Sequence, residues 1–233
     1  MSGSGTPSRR LAWPAAFMLA LLLSACGWSG GSPASAGSPA RTASSSPSGT
    51  ATTAVPDATR LTASNCSGPT PRSTPRPVGR YFTIRPAADW TETPTPQHTE
   101  TLLLELQAPS SYEFAPTFIQ FHSLLGPVHL TYGQEATAHS IAQQHAAAIA
   151  NETSPDAVAG PISDCRVGGE AAAVFGVSGD LNSASGAANG KSFRIYVVHN
   201  DLLFEIILFG TGGIDNQAIQ DSLGMLGSLT WTF

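Results

Sequence analysis

Residues 191–209 read KSFRIYVVHNDLLFEIILF, and this stretch decides the fold. Two runs rich in β-branched and aromatic residues flank Asn200-Asp201, and such a dipeptide is typical of the tight turn of a β-hairpin. With a two-residue turn, Val197 lies opposite Phe204 on one face of the hairpin. Ile195 with Ile206 and Phe193 with Leu208 continue that apolar face. The sequence therefore predicts an antiparallel sheet with this hairpin inside it.

The opposite face of the hairpin is also too apolar to meet water, and it contains a polar interruption. Val198, Leu203, Ile207 and Phe209 make up its apolar part. Between them lie Arg194, Tyr196 and Glu205. A cross-strand ion pair is the simpler explanation for this group, and an anchor for the head group of a ligand is the functional one. We predict that the sheet is covered on both faces or borders a cavity on one.

Flanking segments supply further strands and two helices. Predicted strands lie at 81–85, 101–107, 118–125, 162–167 and 170–178, with a turn at Gly168-Gly169. Predicted helices lie at 133–150 and 216–227, the second capped by Asp215, and residues 229–233 alternate as a short strand or docked tail. The predicted class is α+β: an antiparallel β-sheet packed against α-helices, in a domain of residues 79–233.

The helix at 133–150 has a thin apolar stripe formed by Ile141, Ala142, His145 and Ile149. Small side chains leave space where leucine would fill a close-packed core. This predicts an apolar pocket between helix and sheet, sized for an acyl chain, although alanine also lets a helix and a sheet approach closely. His145 is a candidate ligand contact, and a core histidine with satisfied hydrogen bonds is the alternative.

The N-terminus carries an export signal. Arg9 and Arg10 precede an apolar run at 11–23, which is too short to span a membrane. The run ends in Leu-Ser-Ala-Cys26-Gly, which resembles the bacterial lipobox, where the cysteine receives diacylglycerol and further acylation. We predict a lipoprotein signal peptide at 1–25, lipid attachment at Cys26, and localisation on the extracytoplasmic face of the cell membrane. An ordinary signal peptide with an incidental cysteine is the alternative.

Residues 26–78 are predicted to be a disordered tether. From Gly27 to Thr59, 29 of the 33 residues are Gly, Ser, Pro, Ala or Thr. Such a segment cannot bury enough apolar surface to offset its ordering entropy. Removing residues 1–25 leaves nine basic and 16 acidic residues, a formal charge of −7, so nucleic acid is excluded as a partner.

A disulfide is predicted between Cys66 and Cys165. Once Cys26 is lipidated they are the two remaining thiols of the chain, and an extracytoplasmic compartment permits oxidation. Cys165 falls in a predicted strand, and Cys66 falls in the lead-in, which the bond would attach to the domain. Two free cysteines are the alternative.

The order of elements resembles the PsbP-like fold shared by the photosynthetic protein PsbP and the Ran-binding Mog protein, and more specifically mycobacterial lipoproteins of the LpqN and LpqT type. The resemblance rests on Tyr81-Phe82-Thr83-Ile84, Asp89-Trp90, Gly168-Gly169-Glu170, 196–200, and Asn216-Gln217-Ala218 leading into Trp231. It implies a binding or assembly role without a shared active site, with lipids or fatty acids as expected ligands. The low lysine content and abundant alanine, glycine and proline fit an actinobacterial source.

Catalytic and metal chemistry find little support. Gly176-Val-Ser178-Gly-Asp180 places its second glycine one position too early for a serine-hydrolase elbow. His139 and His145 are six residues apart on a helix, so they point to different sides. We predict no catalytic residue, no metal site and no cofactor.

The leading functional hypothesis is a membrane-anchored, non-enzymatic binding module for an envelope lipid or fatty acid. Its predicted ligand-binding residues are His145, Arg194, Tyr196 and Glu205. The alternative is a module that docks through its surface on an envelope protein complex and has no ligand pocket. An esterase acting on envelope lipids is a third hypothesis, which requires a reactive serine.

Overall fold

The computed structural model describes residues 54–93, 101–152, 157–180 and 190–233. The helices are α1 (Thr59–Thr62), α2 (Val128–Thr131), α3 (Ala138–Glu152) and α4 (Asn216–Gly227). The strands are β1 (Arg76–Val78), β2 (Phe82–Ile84), β3 (Thr91–Glu92), β4 (Leu102–Gln107), β5 (Thr117–Pro127), β6 (Val158–Ala159), β7 (Ser163–Val167), β8 (Glu170–Asp180), β9 (Gly190–His199), β10 (Leu202–Thr211) and β11 (Thr230–Trp231). The predicted signal peptide and the predicted lipid-attachment site at Cys26 fall outside the described residues.

The described strands form two antiparallel sheets. The large sheet has the order β3-β4-β5-β10-β9-β8-β6, with β7 also paired to β8, and the small sheet has the order β1-β2-β11. Helix α3 packs on one face of the large sheet, whereas α4 and the small sheet share a core with its other face. The predicted α+β class, an antiparallel sheet packed against helices, is confirmed.

The central hairpin has the predicted register. Val197 pairs with Phe204 and Ile195 pairs with Ile206. Asn200 and Asp201 have φ values of 47° and 62°, the left-handed conformation that this two-residue turn requires. Because side chains alternate along a strand, this register fixes which residues face α4 and which face α3.

The core that contains α4 lies on one face of the hairpin. Buried residues of this core include Phe82, Ile84, Phe121, Val174, Phe193, Ile195, Val197, Phe204, Ile206, Leu208, Ile219, Leu223 and Leu226. The opposite face forms a smaller core with α3. Its buried residues include Ile141, Ala142, Ile149, Ala173, Phe175, Val177, Tyr196 and Leu203. Helix α3 therefore covers the face of the sheet that contains Tyr196.

Helix α3 begins later than the predicted residue 133. Gly133 has a φ of 97°, which a helix does not accommodate. Thr137 and Ser140 exchange hydrogen bonds at the new start, where the Thr137 hydroxyl accepts from the backbone N–H of Ser140 at 3.1 Å. Helix α4 has its predicted bounds, and the Asp215 carboxylate accepts from the backbone N–H of Gln217 at 2.7 Å.

The folded domain starts before the predicted boundary at residue 79. Residues 54–78, which we call the strap, pack against the domain, and Leu61 is fully buried in the α4 core. Close approach is possible because Gly176 in β8 has no side chain: a Cβ atom there would lie 1.9 Å from the carbonyl oxygen of Pro56. The tether prediction for 26–78 is therefore corrected for its last 25 residues.

Candidate functional site

Three of the predicted ligand-binding residues form one hydrogen-bonded group on the sheet. Tyr196 and Glu205 pair directly across β9 and β10. The Tyr196 hydroxyl donates to Glu205 Oε1 at 2.6 Å, and Arg194 Nη1 donates to the same oxygen at 3.4 Å. The hairpin register therefore places a tyrosine, an arginine and a carboxylate together on one face of the hairpin.

His145, the fourth predicted residue, reaches the same group from α3. Its ring lies 4.8 Å from the ring of Tyr196, centroid to centroid, and the two planes are tilted by 36°. On its other side, His145 Nε2 lies 2.8 Å from the hydroxyl oxygen of Tyr132. The four predicted residues thus form one cluster, and Tyr132 extends it toward solvent.

Sequence reasoning missed the part of the cluster that lies on β4 and β5. Gln120 Nε2 donates to Glu105 Oε2, and both side chains are buried. His122 Nε2 lies 3.4 Å from Gln120 Oε1, and His122 is the direct cross-strand partner of Glu205. The alternation of Gln120 and His122 in the sequence was a signal for a shared face. Glu105 had no such signal.

Electrostatics keep the aromatic donors of this cluster protonated. Burial, and then the charge of Glu205, raise the pKa of Tyr196 well above its usual range. The same two causes raise the pKa of Tyr132. Burial lowers the pKa of His122, and this effect outweighs the charge of Glu205, which raises it; Arg194 lowers it further. At neutral pH the tyrosines therefore donate hydrogen bonds, and His122 is uncharged.

Little of this cluster is accessible. Tyr196 is fully buried, and Glu205 is 8% exposed. The open part is a shallow notch of about 270 Å³ lined by Tyr132, Gln144, His145 and Ala148. Small-molecule sites enclose roughly 300–1,000 Å³, so the notch suits at most a small polar group.

Helix α3 and the sheet are in direct contact where the sequence predicts an apolar pocket. Ile141 and Ala142 have no exposed surface, and they pack in one cluster with the fully buried Ala173 and Phe175. The small side chain of Ala142 thus brings the helix close to the sheet. An acyl chain has no space at this contact.

Ser178 does not have the setting of a hydrolase nucleophile. It lies inside strand β8 and is 2% exposed, whereas a nucleophile elbow is a sharp turn between a strand and a helix. In the described part of the chain, no group of three or more His, Cys, Asp or Glu side chains could hold a metal ion. None of the described helices is long and apolar enough to cross a bilayer.

The disulfide between Cys66 and Cys165 is confirmed. The two Cα atoms lie 5.7 Å apart, within the usual range for a disulfide. Both cysteines are buried, and the bond joins the strap to strand β7.

A larger open groove, which we call the α4 groove, lies between the strap and α4. Its volume is about 570 Å³, and it is lined by Pro69, Pro71, Arg72, Ser73, Ala87, Ala88, Gln217, Gln220, Asp221 and Gly224. Sequence reasoning missed it because it treated the strap as disordered. No residue of the groove was among the predicted ligand contacts.

Asp221 is the centre of a hydrogen-bond network beside the groove. Its Oδ2 accepts from Trp90 Nε1 at 2.8 Å and from the Tyr112 hydroxyl at 2.5 Å. Its Oδ1 accepts from Gln217 Nε2 at 2.9 Å. Burial, followed by the hydrogen bond to Asp221, raises the pKa of Tyr112 to about 12. Tyr112 therefore remains a donor to this carboxylate at any physiological pH.

Comparisons with known proteins find a likeness to solved structures. The chain matches no family model and no curated protein. Among solved structures it is similar to the solution structure of cyanobacterial PsbP (CyanoP) from Synechocystis sp. PCC 6803. The identity is 9%, the match covers 64% of this chain and 86% of that chain, and the TM-score is 0.44.

Proposed function

We propose that this chain is a membrane-anchored extracytoplasmic lipoprotein of the LpqN and LpqT type, and that its domain is a non-enzymatic binding module for an envelope lipid or fatty acid. The buried Cys66–Cys165 disulfide is the observation that carries the proposal. Structural disulfides persist in oxidising compartments and are rare in the cytosol. The bond supports export from the cytoplasm, and the resemblance of the sequence at Cys26 to a lipobox supports attachment to the membrane by acyl chains.

Replacement of the lipidated cysteine tests the anchor. Cys26→Ala is expected to block lipid attachment, so that the protein leaves the membrane fraction or accumulates as the unprocessed precursor. Two acyl chains hold a protein stably on a membrane, and the variant without them has no such anchor. Fractionation followed by immunoblotting measures the change, with Ser29→Ala as the matched control. A Cys26→Ala protein of mature size that stays in the membrane fraction would contradict the proposal.

Bound lipid tests the ligand class. The mature chain, residues 26–233 with Cys26→Ala, has no covalent acyl group, so any lipid that co-purifies with it is held by the protein itself. We expect mass spectrometry of an organic extract to detect an acyl lipid close to one per chain. Extraction of the same preparation after denaturation and washing is the control. Absence of lipid, together with no uptake of added fatty acid, would overturn the lipid-binding proposal.

A surface-docking module of an envelope protein complex is the second candidate. The observation in its favour is the direct contact of α3 with the sheet at Ile141 and Ala142. A domain without a cavity at this contact would recognise its partner through its surface. If the lipid experiment fails, crosslinking of the anchored protein in cells should instead capture a defined envelope protein.

A further inference from the structure

The α4 groove has a rigid wall. The backbone N–H of Gly68 in the strap donates to the carbonyl of Leu223 in α4 at 2.9 Å. A Cβ atom at Gly224 would lie only 2.7 Å from the carbonyl oxygen of Pro69, so strap and helix meet at backbone distance. The Cys66–Cys165 disulfide holds the strap two residues before Gly68. The groove is therefore a fixed feature of the oxidised domain.

The size and surface of the groove suit a small amphiphile. Its 570 Å³ falls within the range of roughly 300–1,000 Å³ that small-molecule sites enclose. Pro69, Pro71, Ala87 and Ala88 supply apolar surface on its walls. Contact with a hydrocarbon chain would remove this apolar surface from water, which favours binding.

The groove is lined by one cation, Arg72, and one carboxylate, Asp221, whose negative charge is not cancelled by its neutral hydrogen-bond donors. The Asp221 carboxylate already accepts three hydrogen bonds, from Trp90, Tyr112 and Gln217. Arg72, in contrast, is exposed at the groove, and among the described residues the structure gives its guanidinium no hydrogen-bond acceptor. An arginine presents a fork of donors that matches a carboxylate. The guanidinium of Arg72, rather than the charge of the whole lining, complements an anionic head group.

We propose that the α4 groove binds a long-chain carboxylate, whose head group pairs with Arg72 and whose chain lies along the proline and alanine walls. This inference rests on the proposed function, because it assigns a site to the lipid-binding module. It places that site on the strap side of the domain. The ligand contacts that the sequence predicted, His145, Arg194, Tyr196 and Glu205, lie elsewhere.

Two variants test the site with a defined probe. The probe is cis-parinaric acid, a fluorescent long-chain carboxylate, titrated into the mature chain (26–233, Cys26→Ala). Ala88→Trp fills the groove and is expected to lower the affinity at least about tenfold. Ala147→Trp, at an exposed position on α3, is the matched control and should leave it unchanged. Circular dichroism confirms that each variant is folded.

The head-group contact is tested by comparing the acid with its methyl ester. Arg72→Gln is expected to weaken binding of the acid about tenfold, because a neutral amide cannot form the charge-assisted hydrogen bonds that a guanidinium forms with a carboxylate. Binding of the ester should not change. Arg80→Gln, at an exposed arginine outside the groove, is the control. Equal losses for acid and ester would overturn the assignment of Arg72.

The outcomes separate the site from the function. If the wild-type domain binds the acid, and Ala148→Trp in the notch abolishes binding while Ala88→Trp does not, the groove inference is overturned and the lipid-binding function stands. If the wild-type domain takes up neither the acid nor its ester, the proposed ligand class itself is overturned. Loss in Ala88→Trp and in Arg72→Gln, with both controls unchanged, supports the inference.

Discussion

Loss of the Cys66–Cys165 disulfide is expected to lower the free energy of unfolding by about 4 kcal/mol. The bond closes a loop with a sequence separation of 99 residues, and in the chain-entropy model a loop of about 100 residues gives at most about 4.7 kcal/mol. Globular domains have total stabilities of about 5–15 kcal/mol, so the loss would be a large part of the whole. Urea denaturation of the double variant Cys66→Ser/Cys165→Ser measures it.

A control variant and thiol alkylation check this prediction. Ser64→Ala, at an exposed position in the strap, is the matched control and should change stability by less than about 0.5 kcal/mol. Thiol alkylation of the unreduced, denatured mature chain should label neither Cys66 nor Cys165. Stoichiometric labelling of both, or a double variant as stable as the wild type, would contradict the prediction.

The hairpin was predictable because its information is local. Asn200-Asp201 fixes the turn, and the turn fixes the register of every pair up to Phe193 with Leu208. The group formed by Arg194, Tyr196 and Glu205 follows from that register alone. The sequence therefore contained most of this part of the candidate site.

The remainder depends on pairings between segments distant in the sequence. Strands β4 and β5 pair with a register shift between Leu102 and Leu104, and no short turn connects them. Alternation alone could not place Glu105 beside Gln120. Likewise, the apolar stripe of α3 did not determine which face of the sheet this helix covers.

The strap was mispredicted for a related physical reason. Its composition is that of a disordered segment, because proline, serine and threonine dominate it. Its docking depends on surfaces elsewhere in the chain: Gly176 in β8, Gly224 in α4, and Cys165 in β7. Composition records none of these, although the pairing of Cys66 with Cys165 was a sequence-level sign that the lead-in meets the domain.

Removal of the cation beside Glu205 is expected to destabilise the domain by about 3 kcal/mol. The side chains of Arg194 and Glu205 are 18% and 11% exposed, so Arg194→Met leaves a largely buried carboxylate without its cation. Removing one partner of a buried pair typically costs about 3–5 kcal/mol, and here the hydrogen bond from Tyr196 remains. Urea denaturation at neutral pH measures the loss.

A double variant distinguishes the unpaired charge from lost packing. Arg194→Met/Glu205→Gln removes both charges but retains an acceptor for the Tyr196 hydroxyl, so it should recover most of the lost stability. The exposed pair of Arg76 and Glu92, with side chains 40% and 44% exposed, is the matched control. Arg76→Met should cost less than about 1 kcal/mol, because water already screens that pair. If Arg194→Met costs no more than Arg76→Met, or if the double variant is as unstable as Arg194→Met, the buried pair is not what holds this part of the sheet.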